Sequence, residues 1–142
     1  MIKENMEEAK SGFAKHIGGI TTKKINELNY AFNAEVKEIN LNTSKIAHGG
    51  FICSIADTGM GNAAYKAAGN KKSVTISLDI KFISAASLGQ KLIGNVKIQK
   101  KTRTLVFITC EIKNSENIVA TASGVWKILK KILNQLLIVS AI

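Results

Sequence analysis

The spacing of the hydrophobic residues changes at His48-Gly49-Gly50, and this change restricts the possible folds more than any other feature of the chain. Between residues 51 and 64 apolar side chains recur every three or four positions, which indicates the buried face of a helix. From residue 74 to about residue 128 apolar and polar side chains alternate, which indicates half-buried strands. One helix and several such strands bury their apolar faces economically when a curved antiparallel sheet wraps the helix. The pattern therefore predicts an α+β fold.

Turn residues divide the rest of the chain into predicted elements. The central helix ends near Gly69-Asn70, and short turns at 87–89, 102–103 and 114–117 separate the strands that follow it. Because these connections are short, the last four strands are expected to form an antiparallel meander. The full prediction is a helix over 4–17 that ends at Gly18-Gly19, a strand through Tyr30, Phe32, Ala34 and Val36, the central helix, and strands over 74–82, 92–98, 106–112 and 118–128.

The central helix is rich in small residues, among them Gly59 and Gly61. A glycine inside a helix costs roughly 1 kcal/mol of helix stability relative to alanine. We therefore expect packing, rather than intrinsic propensity, to hold this helix in place, with other elements approaching it closely.

The length of 142 residues fits one domain over 1–142, with a core over about 11–131 and an apolar tail over 132–142 that packs against the domain or a partner subunit. Cys53 and Cys110 lie far apart, which favours two reduced thiols over a disulfide. The charged N-terminus lacks the apolar segment of a signal peptide, and no stretch reaches the roughly 20 apolar residues of a membrane span. These features predict a soluble, cytoplasmic protein with no membrane partner.

The formal net charge of +10 has two interpretations. It could attract a polyanion, either nucleic acid or the phosphates of a nucleotide-bearing substrate, or it could be a lysine-rich background, since the basic residues are spread along the chain. The eight aromatic residues are not interleaved with the basic ones, so a platform for stacking bases is poorly supported. We therefore expect no nucleic-acid partner.

Asn42, His48-Gly49-Gly50 and Asp57 follow one another at fixed spacing, with five residues before the histidine and six before the aspartate. This pattern resembles the hotdog-fold acyl-CoA thioesterases of the phenylacetate-degradation type, within the 4-hydroxybenzoyl-CoA thioesterase superfamily. The likeness extends from about residue 13 to residue 127 and includes the strand over 73–83 and the run over 101–107. It implies a hotdog fold and an enzyme that hydrolyses an acyl-CoA thioester to a free acid and coenzyme A.

The resemblance also implies catalytic roles. The backbone N–H of Gly49 polarises the thioester carbonyl, a role that suits a helix start, where N–H groups lack partners within the helix. Asp57 acts as general base or as nucleophile, since both are open to a carboxylate. Asn42 helps to hold the attacking water or the carbonyl, and Thr75 places a hydroxyl near the carboxylate. His48 shapes the loop or takes part directly.

Substrate binding and assembly follow from the same resemblance. Gly50 is expected to contact the substrate, and Lys100, Lys101 and Arg103 are expected to meet the phosphates of coenzyme A. Coenzyme A is part of the substrate, so no separate cofactor and no metal are predicted. In the family the carboxylate faces the Gly-Gly end of a neighbouring subunit. The resemblance therefore implies a homodimer, or a dimer of dimers that forms a homotetramer, with shared active sites.

Two positions depart from the family pattern. The family often has glycine three residues before the histidine, where this chain has Lys45, and proline commonly follows the serine at 84, where this chain has Ala85. The first departure bears on the geometry of the loop around Asn42, and the second on the rigidity of a turn. Neither removes a catalytic group.

Other interpretations of these residues stay open. Asp57 could be a structural hydrogen-bonding group, although a buried, unpaired carboxylate on an apolar helix is costly. Cys53 lies four residues before Asp57, but no histidine pairs with it, and no spacing of histidines and cysteines indicates a metal site. Two other functions are possible. A hydroxyacyl thioester dehydratase usually pairs a histidine with a carboxylate in a different spacing, and a non-catalytic acyl-CoA-binding module needs no carboxylate beside the carbonyl.

Overall fold

The fold is built from one helix of nineteen residues packed against an antiparallel sheet, in a computed structural model that describes residues 7–8 and 12–130. Within this part of the chain the sheet has seven strands. The elements are β1 (Glu7–Glu8), α1 (Gly12–His16), β2 (Thr21–Lys24), β3 (Asn29–Glu35), a short 3₁₀ turn (Glu38–Asn40), α2 (Gly49–Ala67), β4 (Ser73–Phe82), β5 (Lys91–Lys101), β6 (Leu105–Lys113) and β7 (Ile118–Ile128).

The predicted central helix is confirmed as α2, and its apolar residues form the middle of the core. Ile55, Met60 and Ala63 are completely buried against the sheet, whose inner face includes the fully buried Phe32 of β3. A side chain at Gly59 would overlap the Phe32 ring. The small residues of α2 therefore serve close packing, as the sequence predicts.

Gly59 and Gly61 make a matched pair for testing this packing. We expect Gly59→Ala to lower the free energy of unfolding by about 2 kcal/mol, because overpacking the Phe32 contact outweighs the gain in helix propensity. A side chain at Gly61 meets only ordinary contact, 3.4 Å from Trp126 Nε1, so Gly61→Ala should raise that free energy by up to about 1 kcal/mol. Denaturant unfolding of the two variants checks the prediction, and equal effects would contradict it.

The sheet order is β1-β2-β3-β5-β6-β7-β4, with every neighbouring pair antiparallel. The four strands after α2 were predicted to form a meander, and this is wrong for the first of them. Only β5, β6 and β7 follow one another in the sheet, whereas β4 pairs with β7 at the far edge.

The connection between β4 and β5 explains this order. It crosses the end of the sheet instead of closing a hairpin, and backbone hydrogen bonds fasten it to the segment before α2. Ala47 donates to the carbonyl of Ala86, and the carbonyl of Val36 accepts from Gly89. These non-local bonds direct the chain to β3 rather than back along β4.

Strand β4 forms one edge of the sheet. Its alternation of apolar and polar residues predicts a buried face, and this prediction is wrong for part of the strand. Ile76 and Phe82, predicted to face the core, are 55% and 58% exposed. The pairing with β7 shifts register between Thr75 and Ser77. Such a bulge changes which side chains face the core, and bulges are common at sheet edges and beside active sites.

The chain ends depart from the prediction or lie outside the described residues. The helix predicted over 4–17 is wrong in extent, since α1 covers only Gly12–His16 and Glu7–Glu8 pair with Thr21 and Thr22 as strand β1. The predicted stop is confirmed, because Gly18 and Gly19 adopt positive φ angles. The tail over 132–142 lies outside the described residues. Within the described part, no helix is both long and apolar enough to cross a membrane.

Candidate active site

Asp57 and Thr75 meet where the middle of α2 passes the beginning of β4. The Thr75 hydroxyl donates a hydrogen bond of 2.7 Å to Oδ1 of Asp57. The bulge next to Thr75 belongs to this site, because it sets the direction in which the hydroxyl points. One carboxylate oxygen is thus held in place, and the carboxylate keeps the capacity to accept further hydrogen bonds.

The expectation that Asp57 is buried is wrong for the single chain, since its side chain is exposed. The apolar residues of α2 face the sheet, and Asp57 lies on the outward stripe, beside the free edge that β4 forms. The cost of burying a carboxylate therefore gives no argument for its role. Its hydrogen bond and its place at an open edge are the relevant observations.

The start of α2 leaves backbone donors free, and the N–H of Gly49 is one of them. His48 caps the helix, and its Nδ1 accepts a hydrogen bond of 2.7 Å from the N–H of Gly50. The N–H of Ile52 donates to the carbonyl of His48. Among the described residues the N–H of Gly49 has no acceptor. Of the two predicted glycines, Gly49 can therefore offer its N–H to a substrate, whereas the N–H of Gly50 is already used.

Gly49 opens onto a cleft of about 300 Å³ that also includes Asn42, Phe82 and Ser84. A Cβ atom at Gly49 would lie 3.3 Å from the Phe82 ring, so the ring covers the helix start closely. The cleft brings together two predicted site residues, Gly49 and Asn42, and places them at the end of β4 that is opposite to Thr75.

The Asn42 side chain shapes the loop before His48. Its Oδ1 accepts hydrogen bonds from the backbone of Ser44 at 2.9 Å and of Ile46 at 3.3 Å. The amide group of the side chain makes no hydrogen bond with other described residues and is a donor that a ligand in the cleft can use.

The backbone conformation of Lys45 shows why the family often has glycine at this position. Its φ angle is 61°, in the left-handed region that glycine adopts without strain. The loop thus keeps its shape despite the lysine, at the expense of backbone strain.

We expect Lys45→Gly to raise the free energy of unfolding by about 0.5–1 kcal/mol, because relief of strain exceeds the added entropy of the unfolded chain. Thermal or denaturant unfolding measures the change. Asn70 provides the control, since it also has a φ of 61° and asparagine tolerates this region better. Asn70→Gly should therefore have a smaller effect, and a destabilised Lys45→Gly would contradict the strain argument.

Gly49 and Asp57 do not form one site within a single chain. They are eight residues apart on the same helix, which corresponds to about 12 Å along its axis. A thioester carbonyl in contact with one of them is out of reach of the other. Both groups can act on one carbonyl only if they come from different copies of the chain.

The basic residues Lys100, Lys101 and Arg103 lie at the turn between β5 and β6 and are exposed. Register pairs connect Lys101, Val106, Trp126 and Thr75 across neighbouring strands. This places Lys101 three strand spacings, or about 14 Å, from Thr75. The trio shares the end of the sheet with Thr75 but does not touch the Asp57 site.

The two cysteines do not have the environment of a nucleophile. Burial raises the pKa of the Cys53 thiol, and burial raises the pKa of the Cys110 thiol to about 12. Reactive cysteines need a lowered pKa. In the described part of the chain no three histidine, cysteine, aspartate or glutamate side chains form a cluster that could hold a metal ion.

Sequence reasoning missed a second cleft, of about 330 Å³, that adjoins Asp57 and is lined by Gly61, Tyr65, Lys72 and Trp126. Gly61 and Tyr65 follow Asp57 at intervals of four, a helical spacing that places them on the same face. That spacing was available in the sequence. The contribution of Trp126 was not, because it depends on the pairing of β7 with β4.

The same architecture occurs in solved structures of other proteins. The Escherichia coli PaaI protein from the phenylacetic acid degradation operon has a TM-score of 0.75 and 23% identity, over 82% of this chain and 83% of that one. A hypothetical thioesterase from Streptococcus pneumoniae, solved with coenzyme A, has a TM-score of 0.70 and 21% identity, over 77% of this chain and 87% of that one. One long helix wrapped by an antiparallel sheet defines this chain as a hotdog-fold protein.

The family is equally clear. Residues 44–121, more than half of the chain, match the thioesterase superfamily, and this chain belongs to it. A Pseudomonas aeruginosa protein that is named as an esterase is 30% identical to this chain over 92 residues. The match covers 64% of this chain and 69% of that protein. The predicted resemblance and the hotdog fold are confirmed, and the general activity class is that of a thioester hydrolase.

Proposed function

We propose that this chain hydrolyses acyl-CoA thioesters, with Asp57 as general base or nucleophile and the N–H of Gly49 as the donor that polarises the carbonyl. The observation that carries the proposal is the hydrogen bond of 2.7 Å between Thr75 and Asp57 at the open edge of the sheet. This contact orients a carboxylate that is exposed to an incoming substrate.

Asp57 has two ways to act. As a base it takes a proton from water while the water oxygen attacks the carbonyl carbon. As a nucleophile it attacks the carbonyl itself, expels the thiolate of coenzyme A and forms a mixed anhydride that water then cleaves. In both cases Thr75 positions the carboxylate through Oδ1. A binding module has no need of such a positioned carboxylate.

Gly49 supplies the complementary group. Attack on the carbonyl places negative charge on its oxygen, which a free N–H at a helix start stabilises together with the positive end of the helix dipole. A single donor of this kind typically accounts for about 10²–10³ in rate. The Asn42 amide, in the same cleft, supports a second polar contact to the carbonyl or to the water.

The 12 Å between these groups within one chain favours a site shared by two copies. Strand β4 supports this assembly, since one of its edges pairs with no described strand and it exposes Ile76 and Phe82. Its start is bonded to Asp57 through Thr75, and its end covers Gly49 through Phe82. Two-fold antiparallel pairing of two β4 edges therefore brings Asp57 toward Gly49 of the partner subunit. A homodimer is the smallest assembly with this property, and a homotetramer is two such pairs.

The basic residues at the turn between β5 and β6 are suited to binding coenzyme A. Lys100, Lys101 and Arg103 are exposed cations at one end of the sheet, suited to the phosphates of the coenzyme, while the pantetheine arm spans the distance to the carbonyl. The net charge of +10 adds a long-range attraction for the polyanionic substrate. The streptococcal hotdog protein solved with coenzyme A is consistent with this choice of substrate. Two unpaired cysteines agree with a reducing compartment, and we place the activity in the cytoplasm.

The direct test follows the release of free thiol from a panel of aromatic and aliphatic acyl-CoA esters. A thioesterase releases coenzyme A with steady-state turnover. Loss of water from a hydroxyacyl ester with the thioester intact would identify a dehydratase instead. Binding of the esters without any turnover would identify a binding module, and either of these two results overturns the proposal.

A further inference from the structure

The cleft beside Asp57 extends along α2 past the reaction centre. Its volume of about 330 Å³ is at the lower end of small-molecule sites, which suits a short acyl group. Gly61 and Tyr65 form its helical wall, and Trp126 lies across from Gly61. An acyl group whose carbonyl lies at Asp57 would enter this cleft.

Trp126 is 1% exposed, and its neighbours fix the direction of its ring. The six-membered ring lies over Gly124, where a Cβ atom would be 2.6 Å from Cζ3 and 2.7 Å from the carbonyl oxygen of Ser77. The opposite edge of the indole carries Nε1, which lies 3.4 Å from the Cβ position of Gly61. Since Gly61 has no side chain, nothing on this residue separates the indole N–H from the cleft.

Trp126 lines the cleft, and its indole N–H makes no hydrogen bond with any described residue, although the residue as a whole is 1% exposed. A donor on a largely buried side chain that faces a cleft is available to a ligand bound there. An oxygen on the bound ligand would satisfy this one.

Geometry limits where that oxygen can be. Thr75 and Trp126 are direct register partners, so their side chains share one face of the sheet. Gly61 is one turn beyond Asp57, about 6 Å along the helix. From a carbonyl at Asp57, an oxygen on the third to fifth carbon of the acyl chain can reach the indole N–H.

Resting on the proposed thioesterase function, we infer that the preferred substrates are short acyl-CoA esters with a hydroxyl or keto oxygen on carbon 3, 4 or 5, which Trp126 recognises through its indole N–H. Tyr65 and Lys72 line the same cleft and add polar character. Trp126 is thus a specificity-determining residue, and Gly61 keeps its donor accessible.

The kinetic test compares hexanoyl-CoA with its 3-hydroxy, 3-oxo and 5-oxo derivatives. The wild type should show a kcat/KM at least about tenfold higher for one or more of the oxygenated esters. Trp126→Phe removes the N–H but keeps an aromatic ring, so it should bring the kcat/KM for the oxygenated esters down to the value for hexanoyl-CoA measured with the same variant. Gly61→Ala should also weaken the preference, by covering the N–H, in a helix that it does not destabilise. A preference that survives both substitutions, or that the wild type lacks, overturns the inference.

A second readout is independent of turnover and of the folding of Trp126→Phe. Trp126 is the single tryptophan of the chain, so its indole N–H gives one assignable NMR signal. In Asp57→Asn, the oxygenated esters should shift this signal downfield more than hexanoyl-CoA does. If no ester is hydrolysed by the wild type but this shift is observed, the thioesterase proposal fails and the recognition by Trp126 stands. If hydrolysis occurs while the signal responds equally to all esters, recognition by Trp126 is wrong and the thioesterase proposal stands.

Discussion

Replacing Asp57 by asparagine is expected to lower the kcat for acyl-CoA hydrolysis at least about a hundredfold, since general base catalysis alone contributes about 10²–10⁴. Asparagine has the size of aspartate and keeps an oxygen that can accept the hydrogen bond from Thr75. It can neither take a proton from water nor attack a carbonyl carbon. The substitution therefore removes the chemistry with little change of geometry.

The exposure of Asp57 makes the result easy to interpret. Substitutions at exposed positions usually change the free energy of unfolding by no more than about 0.5 kcal/mol, so Asp57→Asn should unfold like the wild type. Thr75→Val is the matched variant at the other end of the hydrogen bond. It leaves the carboxylate but releases its orientation, and we expect a smaller loss of about tenfold. Equal kcat values for wild type and Asp57→Asn would exclude Asp57 as base or nucleophile.

A single turnover in ¹⁸O-labelled water can identify Asp57 as the nucleophile. If Asp57 acts as base, the oxygen of water goes directly to the released acid. If Asp57 acts as nucleophile and water cleaves the anhydride at the aspartyl carbonyl, the label appears in Asp57 itself. Mass spectrometry of the peptide that contains residue 57 distinguishes these outcomes.

The elements of the core were predictable because their signals are local. The three- and four-residue spacing in α2 and the alternation in β3, β5, β6 and β7 each report burial against one face, and all five elements occur where the sequence predicts them. Gly49 and Gly50 at the start of α2 and Gly69 just after it mark the ends of the helix for the same reason. Local geometry was therefore readable from side-chain spacing.

The misassigned features depend on non-local contacts. The alternation in β4 resembles that of a core strand, but nothing in it shows that β4 pairs with β7, or that Ile76 and Phe82 are exposed at an edge. The segment before α1 has a helical pattern, yet Glu7 and Glu8 form edge hydrogen bonds with β2. For the site, the spacing of Asn42, Gly49 and Asp57 was visible in sequence, whereas the exposure of Asp57 and the contribution of Trp126 follow from the strand order.

Mixing two inactive variants should restore activity if the active site is shared between two copies. Asp57→Asn removes the carboxylate, and Gly49→Pro removes the N–H donor. Proline is well suited to this position because Gly49 is the first residue of α2, where proline is favoured. His48 has a ψ of 138°, which is the conformation preferred before proline. Gly49→Ala is the matched control, since it also adds a Cβ near Phe82 but keeps the N–H.

Each variant alone should lose at least about a hundredfold in kcat, while Gly49→Ala should retain most of its activity. In a heterodimer of Asp57→Asn and Gly49→Pro, one site combines the intact Asp57 of one chain with the intact Gly49 of the other, and the second site has neither. Unfolding and refolding the variants together in equal amounts gives heterodimers as half of the dimers. The mixture should therefore recover about a quarter of the wild-type activity.

Recovery separates the two possible arrangements of the site because no other combination of these chains can produce it. If Asp57 and Gly49 acted within one chain, every chain in the mixture would carry a defect, and the activity would stay at the level of the separate variants. The 12 Å between the two groups along α2 argues against that arrangement, and the free edge of β4 is the surface that we propose joins two copies. A mixture without recovery, in which heterodimers are shown to form, would overturn the shared site and leave the assignment of Asp57 to be judged by its own substitution.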